Sequence, residues 1–210
     1  MTQIIASNKS GSTYEPVPAG NYVARCIKMI HYGTITEDYS GTPKTLNKVQ
    51  LSWELPGELK VFKEENGEQP YMLSKDFTLS MHEKASLRKW LESWRGKGFT
   101  NAESEAFDIT NLVGKACMIN VIHTTKGDKT YANISGDSSM PKGLSCPPQI
   151  NDSVIFSVLD FKNELFETFP DFIKDKIKSS AEYKAMQQPN AVHTDPEPTN
   201  SPSEEDDLPF

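Results

Sequence analysis

Residues 46–55 constrain the fold more than any other stretch of the chain. Val49, Leu51, Trp53 and Leu55 fall on one side of the run, and Lys48, Gln50, Ser52 and Glu54 fall on the other. Successive side chains of an extended chain point to opposite faces, so this period of two defines a strand with one buried and one solvated face. Trp53 shares its side with Val49 and Leu51 and is expected in the core. Pro56-Gly57 is expected to end the strand.

Further strands flank this one. Residues 21–35 carry the strand formers Tyr22, Val23, Ile27, Met29, Ile30 and Tyr32, but their alternation is imperfect, which predicts a bend or bulge. Arg25 and Lys28 interrupt the apolar residues and should face water or a ligand. Residues 36–45, with Gly41 and Pro43, read as a loop. A turn at Asn66-Gly67 precedes a strand at 71–81, with Tyr71, Leu73, Lys75, Phe77 and Leu79 on one side. Next comes a helix, predicted from a capping-box spacing of Ser80 and Glu83 and an apolar face of Leu87, Trp90, Leu91 and Trp94. Two more strands, at 115–124 and 129–135, meet at the hairpin turn Lys126-Gly127-Asp128-Lys129. Residues 140–152 are a proline-bearing connector, and 150–159 show no clear periodicity.

Strand, strand, strand, helix, strand, strand is the element order of an OB-fold, a five-stranded barrel with a helix between its third and fourth strands. The expected fold class is therefore mainly β with helices. A mobile arm spans 1–15, the OB-fold domain 16–160, a helical extension packed on the body 161–186, and a disordered acidic tail 187–210. The extension breaks at Pro170 and carries an apolar stripe of Leu165, Phe166, Phe169, Phe172, Ile173 and Ile177. OB-folds bind oligonucleotides or oligosaccharides on the face of strands two and three, between the first-to-second and fourth-to-fifth loops. Rings stack on bases and ammonium groups attract phosphates. The residues placed for that work are Arg25, Lys28, Tyr32, Tyr39, Lys44, Lys48, Lys75, Phe77, Lys126, Lys129 and Tyr131. Phe77 and Tyr131 stand open between stacking and core roles, and Lys44 and Lys48 between phosphate contacts and ordinary solvated charges. Trp90 and Trp94 are assigned to the core.

Charge argues the other way at first sight. The net charge is −7, whereas nucleic-acid binders are usually basic. Six of the acids lie beyond residue 187, where there is no Lys or Arg, so the body is nearly neutral and any positive groove is local. Hydrophobic residues make up only 36% of the chain, consistent with part of it lying outside a core. The 3 cysteines are far apart, which argues against a disulfide framework and fits a reducing compartment. No signal pattern or long apolar run is present, so a soluble cytoplasmic protein is expected. His31, His82, His123 and His193 lack metal-ligand spacing, and no Gly-rich phosphate loop occurs. Neither a cofactor, nor a metal, nor enzymatic activity is expected.

The last seven residues are of another kind. Glu204, Glu205, Asp206 and Asp207 run into Leu208-Pro209-Phe210. An apolar tip on an acidic tail can place one ring in a pocket while its acids meet Lys and Arg around it. This tip resembles the end of bacterial single-stranded DNA-binding proteins, with Leu208 in place of an isoleucine. The body resembles phage-encoded single-stranded DNA-binding proteins in three stretches. These are Val17-Pro18-Ala19-Gly20-Asn21-Tyr22-Val23-Ala24-Arg25, Val49-Gln50-Leu51-Ser52-Trp53-Glu54-Leu55-Pro56, and Leu87-Arg88-Lys89-Trp90-Leu91-Glu92-Ser93-Trp94-Arg95-Gly96. The resemblance implies an OB-fold that coats single-stranded DNA during replication or recombination in a host cytoplasm. It also implies that Asp206, Asp207, Leu208, Pro209 and Phe210 recruit replication or recombination partners. The linker here is short and Pro-rich, so tetramer formation does not carry over. Two other readings stand beside this one. In the first, the chain is a protein-interaction adaptor with an OB-like body and an acidic tail that mimics nucleic acid or serves as a docking peptide; in the second, it is a nuclease or other DNA-processing enzyme.

Overall fold

The computed structural model describes residues 15–188. Most of the expected arm and tail therefore lies outside the described residues, including Asp206, Asp207, Leu208, Pro209 and Phe210. The strands are β1 (Gly20–Tyr39), β2 (Thr42–Val61), β3 (Glu68–Thr78), β4 (Ala116–Lys126), β5 (Lys129–Ser138) and β6 (Val154–Ser157). The helices are α1 (Ser86–Arg95), α2 (Asn101–Glu105), α3 (Asn163–Glu167), α4 (Asp171–Ser179) and α5 (Ala181–Gln187). The sheet runs β3-β2-β1-β4-β5, antiparallel throughout, and β6 adds to β1 in parallel.

β1 holds the sheet together. Its first residues pair with β4, from Gly20 opposite Val121 to Arg25 opposite Ala116, and its middle, Lys28 to His31, pairs with β6. Register shifts between Cys26 and Lys28 and between His31 and Gly33 supply the irregularity that the broken alternation predicts. The stretch expected as a loop at 36–45 is instead a paired arm that turns at Ser40 and Gly41, both at positive φ. Cross-strand contacts such as Thr36 Oγ1 to Thr45 Oγ1, at 3.0 Å, hold it extended. Pro56-Gly57 does not end β2 either. The strand continues to Val61 through a bulge between Leu55 and Leu59, which absorbs both residues.

Two cores lie on opposite faces of the sheet. The inner one gathers Val49, Leu51, Trp53 and Leu55 with Phe77 and the α1 residues Leu87, Trp90, Leu91 and Trp94. The Trp53 ring lies 5.9 Å from both Trp90 and Trp94. α1 starts at Ser86 after Ala85, which supplies no side-chain cap, whereas Ser80 Oγ accepts from His82 N in the preceding turn. The expected capping box at Ser80 and Glu83 is thus replaced by a later start, and Gly96 at φ 70° ends the helix as expected.

The outer core packs Ile30 and Tyr32 of β1 against Phe156, Val158, Phe166, Phe169, Ile173 and Ile177. The 161–186 extension therefore lies on the body, breaking at Pro170 between α3 and α4. Most of its apolar stripe is buried, but Phe172 is 63% exposed. α5 is fastened by Glu182, which accepts from Thr34 N and Thr34 Oγ1, each at 2.7 Å. Gly33, at φ +91°, makes room for that carboxylate, because a Cβ there would lie 2.5 Å from Glu182 Oε2. Lys48, Ser52 and Glu54, read as the solvated side of β2, are buried.

The expected five-stranded barrel is not what forms. The sheet has six strands and is not closed, because the hydrogen-bonded path ends at β3 on one side and β5 on the other. A side chain bridges this seam: Lys75 Nζ donates to Ile134 O at 2.8 Å and lies 4.7 Å from the Trp90 ring centre. Burial lowers the Lys75 pKa, and neighbouring Asp137 partly opposes that shift. Burial pushes the Asp137 carboxyl up to about 7, and its Oδ2 has no hydrogen-bond partner among the described residues. From its ordinary value up to about pH 7 the folded chain holds a proton that the unfolded chain has released. Stability should therefore fall as pH rises through that window and level off above it. Asp137→Asn should flatten this slope and raise the melting temperature above pH 7. Denaturation at pH 5 and 8 checks it, and an unchanged slope would remove Asp137 as the cause.

Candidate nucleic-acid interface

The β4–β5 hairpin projects past the inner core. Val121 and Ile134 are its last buried pair, and from residue 122 to residue 131 every position is exposed. Lys126 pairs with Lys129 across Gly127 and Asp128. Gly127 sits at φ 60°, the position where a two-residue hairpin turn takes glycine. This turn fixes the register behind it: Thr124 faces Tyr131 and Ile122 faces Asn133. Directly paired residues share a face, so Ile122, Thr124, Lys126, Lys129, Tyr131 and Asn133 form one surface. That surface is opposite the one carrying Val121, Ile134 and His123, whose Nε2 lies 2.8 Å from Val17 O. Tyr131 is 46% exposed and Ile122 43%. A ring, a branched apolar side chain and two ammonium groups thus lie along one open ribbon.

The structure separates the other nominated residues. Tyr32 is wholly buried under α4, where Lys176 lies 5.2 Å from its ring centre. Phe77 is 2% exposed, with its ring 5.4 Å from Trp90. Neither ring offers a face to a base, and the open choice for Phe77 resolves to core while Tyr131 resolves to surface. Tyr32 left the binding face because the outer core covers it. Lys75 points into the seam rather than outward. Arg25 ties the chain together, its guanidinium donating to Gly114 O at 2.8 Å and Pro147 O at 2.9 Å. Lys48 is buried with its ammonium 2.7 Å from Glu37, so its charge is spent locally. Lys44 is exposed on the β1–β2 arm, opposite Glu37 in the register. Tyr39 ends β1, and its side chain lies outside the described set. Lys28 stands half-buried beside a cavity near the β2–β3 turn.

The outer face of β2 and β3, the expected ligand surface, is partly occupied by the chain itself. Asp76 accepts from Gln50, lies at 3.5 Å from the Tyr32 hydroxyl, and pairs with Lys176 of α4. Glu54 accepts from Ile150 N, Asn151 N and Asn151 Nδ2, which pins the connector across the sheet. Ile122 and Thr124 were missed by sequence reasoning. Counting back in twos from the Gly127-Asp128 turn places both on the Tyr131 face, so the signal was present.

No family model matches the chain, and no curated protein matches it. Among the described residues, no group of three or more His, Cys, Asp or Glu is placed to hold a metal ion. No helix among them is long and apolar enough to cross a membrane.

Proposed function

We propose that the chain is a non-enzymatic single-stranded DNA-binding protein, with an OB-type body left partly open between β3 and β5. The observation that carries this reading is the outward ribbon of the β4–β5 hairpin, where Tyr131 lies exposed beside Lys126 and Lys129. Bases offer a flat face to Tyr131 whatever their sequence, and the two lysines meet the phosphates on either side. The element order supports the fold assignment, because α1 falls between β3 and β4. In the cell this chemistry serves to coat single strands during replication or recombination. Among the described residues no comparable observation favours the adaptor reading.

Fluorescence anisotropy on poly-dT and on a matched duplex tests the reading. The single strand should bind more tightly, with little sequence preference, and no cleavage should follow on adding divalent metal. Equal affinity for both forms would sink it. Affinity should fall with salt on a shallow slope, and Lys126→Ala with Lys129→Ala should reduce that slope by roughly 1.4, at about 0.7 per phosphate. An unchanged slope removes the turn from the site.

The tail belongs to the same proposal. Glu204 to Asp207 compete with phosphate for the basic ribbon, while Leu208-Pro209-Phe210 recruits a replication or recombination partner. Deleting 204–210 should tighten DNA binding at low salt, with the gain vanishing at high salt as exposed charges are screened. Deleting Phe210 alone should leave DNA binding unchanged and abolish partner capture in a pull-down. Identical partners with and without Phe210 would reduce the tip to a solubility tail.

A further inference from the structure

A cavity of about 570 Å³ opens where the β2–β3 turn faces the connector. That size lies within the range of small-ligand sites. Phe62 and Met72 contribute apolar wall, and the Phe62 ring is held at 83° to Tyr71, with centres 5.1 Å apart. Lys28 and Lys63 stand on the wall together with the amides of Asn66 and Gln69; Asp152 is the carboxylate among the lining residues. The Lys28 ammonium has no acid partner among the described residues. Lys63 has only a pairing to Glu65 at 3.8 Å, with both side chains at least 70% exposed. Gln69 Nε2 donates to Asn66 O, which steadies the turn and leaves the Gln69 oxygen and the Asn66 amide for a ligand.

An apolar wall, two amides and two cations are what one nucleotide needs. A flat heterocycle lies against apolar surface, its edge takes amide hydrogen bonds, and its phosphate meets ammonium groups. We infer that this cavity is a second contact for the bound strand, taking one nucleotide with Lys28 and Lys63 on its phosphate. The inference rests on the single-strand reading above. Lys28 lies eight positions along β1 from Gly20, which pairs with Val121 at the base of the β4–β5 hairpin. Tyr131 pairs with Thr124, three positions further out along β4, so at about 3.3 Å per residue the path to that ring is at most ~36 Å. A strand in the upper part of the ~4–16 nucleotides that one such fold covers reaches both places, and a very short one does not.

The test uses the full chain at one salt concentration with labelled dT5 and dT20. Wild type should bind dT20 at least about tenfold more tightly than dT5. Lys28→Ala with Lys63→Ala should lose most of that gain while dT5 affinity stays, and Tyr131→Ala should weaken both lengths. Lys63→Ala alone, a change at a solvent-exposed side chain, should lose part of the gain and guards against a folding defect in the double variant. Millimolar thymidine monophosphate should erode the dT20 gain and leave dT5 binding unchanged. A double variant that keeps the full gain, or a wild type that binds both lengths equally, overturns the pocket and spares the hairpin. Tight monophosphate binding that is lost in Lys28→Ala reassigns the pocket to free nucleotides and overturns the inference. Failure of wild type to bind either oligonucleotide overturns both readings together.

Discussion

Tyr131→Ala should weaken single-strand binding about 5- to 160-fold. Base–aromatic stacking contributes roughly 1–3 kcal/mol per base, and Tyr131 is the ring exposed on the outward ribbon of the β4–β5 hairpin. Neutral surroundings raise its share, because Lys48 is spent on Glu37 and Lys75 on the seam. Tyr131→Phe should retain most of the affinity, since the ring face survives without the hydroxyl. Stability should hardly move in either variant, because the side chain projects beyond the inner core. Anisotropy at a fixed salt concentration, alongside a thermal melt, separates the two effects. Wild-type affinity in Tyr131→Ala would place the strand elsewhere on the body.

Glu54→Ala should be the most damaging change outside the two cores. Its carboxylate is fully buried and accepts from Ile150 N at 2.9 Å and from Asn151 N and Nδ2 at 3.0 Å each. The three donors are part-buried, and losing a hydrogen bond to a charged acceptor costs roughly 1 kcal/mol each where water can replace it. Losing all three should therefore cost about 3 kcal/mol even where water enters to replace some bonds. For a chain of this size each kcal/mol moves the melting temperature by roughly 2–4 °C, so a drop of about 6–12 °C is expected. Glu54→Gln keeps one acceptor oxygen in place and should cost less than half as much. Hydrogen exchange at Ile150 and Asn151 should rise in both variants, more steeply in Glu54→Ala. A melt within about 2 °C of wild type in Glu54→Ala would mean that the connector is held by other contacts.

Local chemistry was legible in the sequence. The period of two through Val49, Leu51, Trp53 and Leu55 marked the buried side of β2. The Lys126-Gly127-Asp128-Lys129 turn fixed the β4–β5 register, and the spacing of Leu87, Trp90, Leu91 and Trp94 marked the inner face of α1. Pro170 marked the break between α3 and α4. What escaped depends on partners far along the chain. Lys48, Ser52 and Glu54 look solvated in their own segment, yet Lys48 pairs with Glu37, Ser52 meets Ser74 on the neighbouring strand, and Glu54 meets donors nearly a hundred positions away. Tyr32 reads as an exposed strand aromatic because nothing local shows that α4 lies above it. β6 is only four residues long and has no alternation to detect. Five of the eleven nominated contact residues (Arg25, Tyr32, Lys48, Lys75 and Phe77) are therefore structural, for reasons that lie outside their own segments.

The fastening of Thr34 by Glu182 sets an order of events during synthesis. The two residues are 148 positions apart. At about 5–20 residues per second, a ribosome needs roughly 7–30 s to add that length. The β1–β2 arm can pair as soon as it emerges, because its turn and cross-strand partners are local. Ile30 and Tyr32 must then wait, bare on the outer side, until Ile173, Ile177 and Glu182 have been made. Until β6, α3 and α4 have been made, the nascent chain presents an apolar patch with no cover of its own. A chaperone that holds such patches has its window there, and a chain released before α4 would leave the ribosome with Ile30 and Tyr32 short of Ile173 and Ile177.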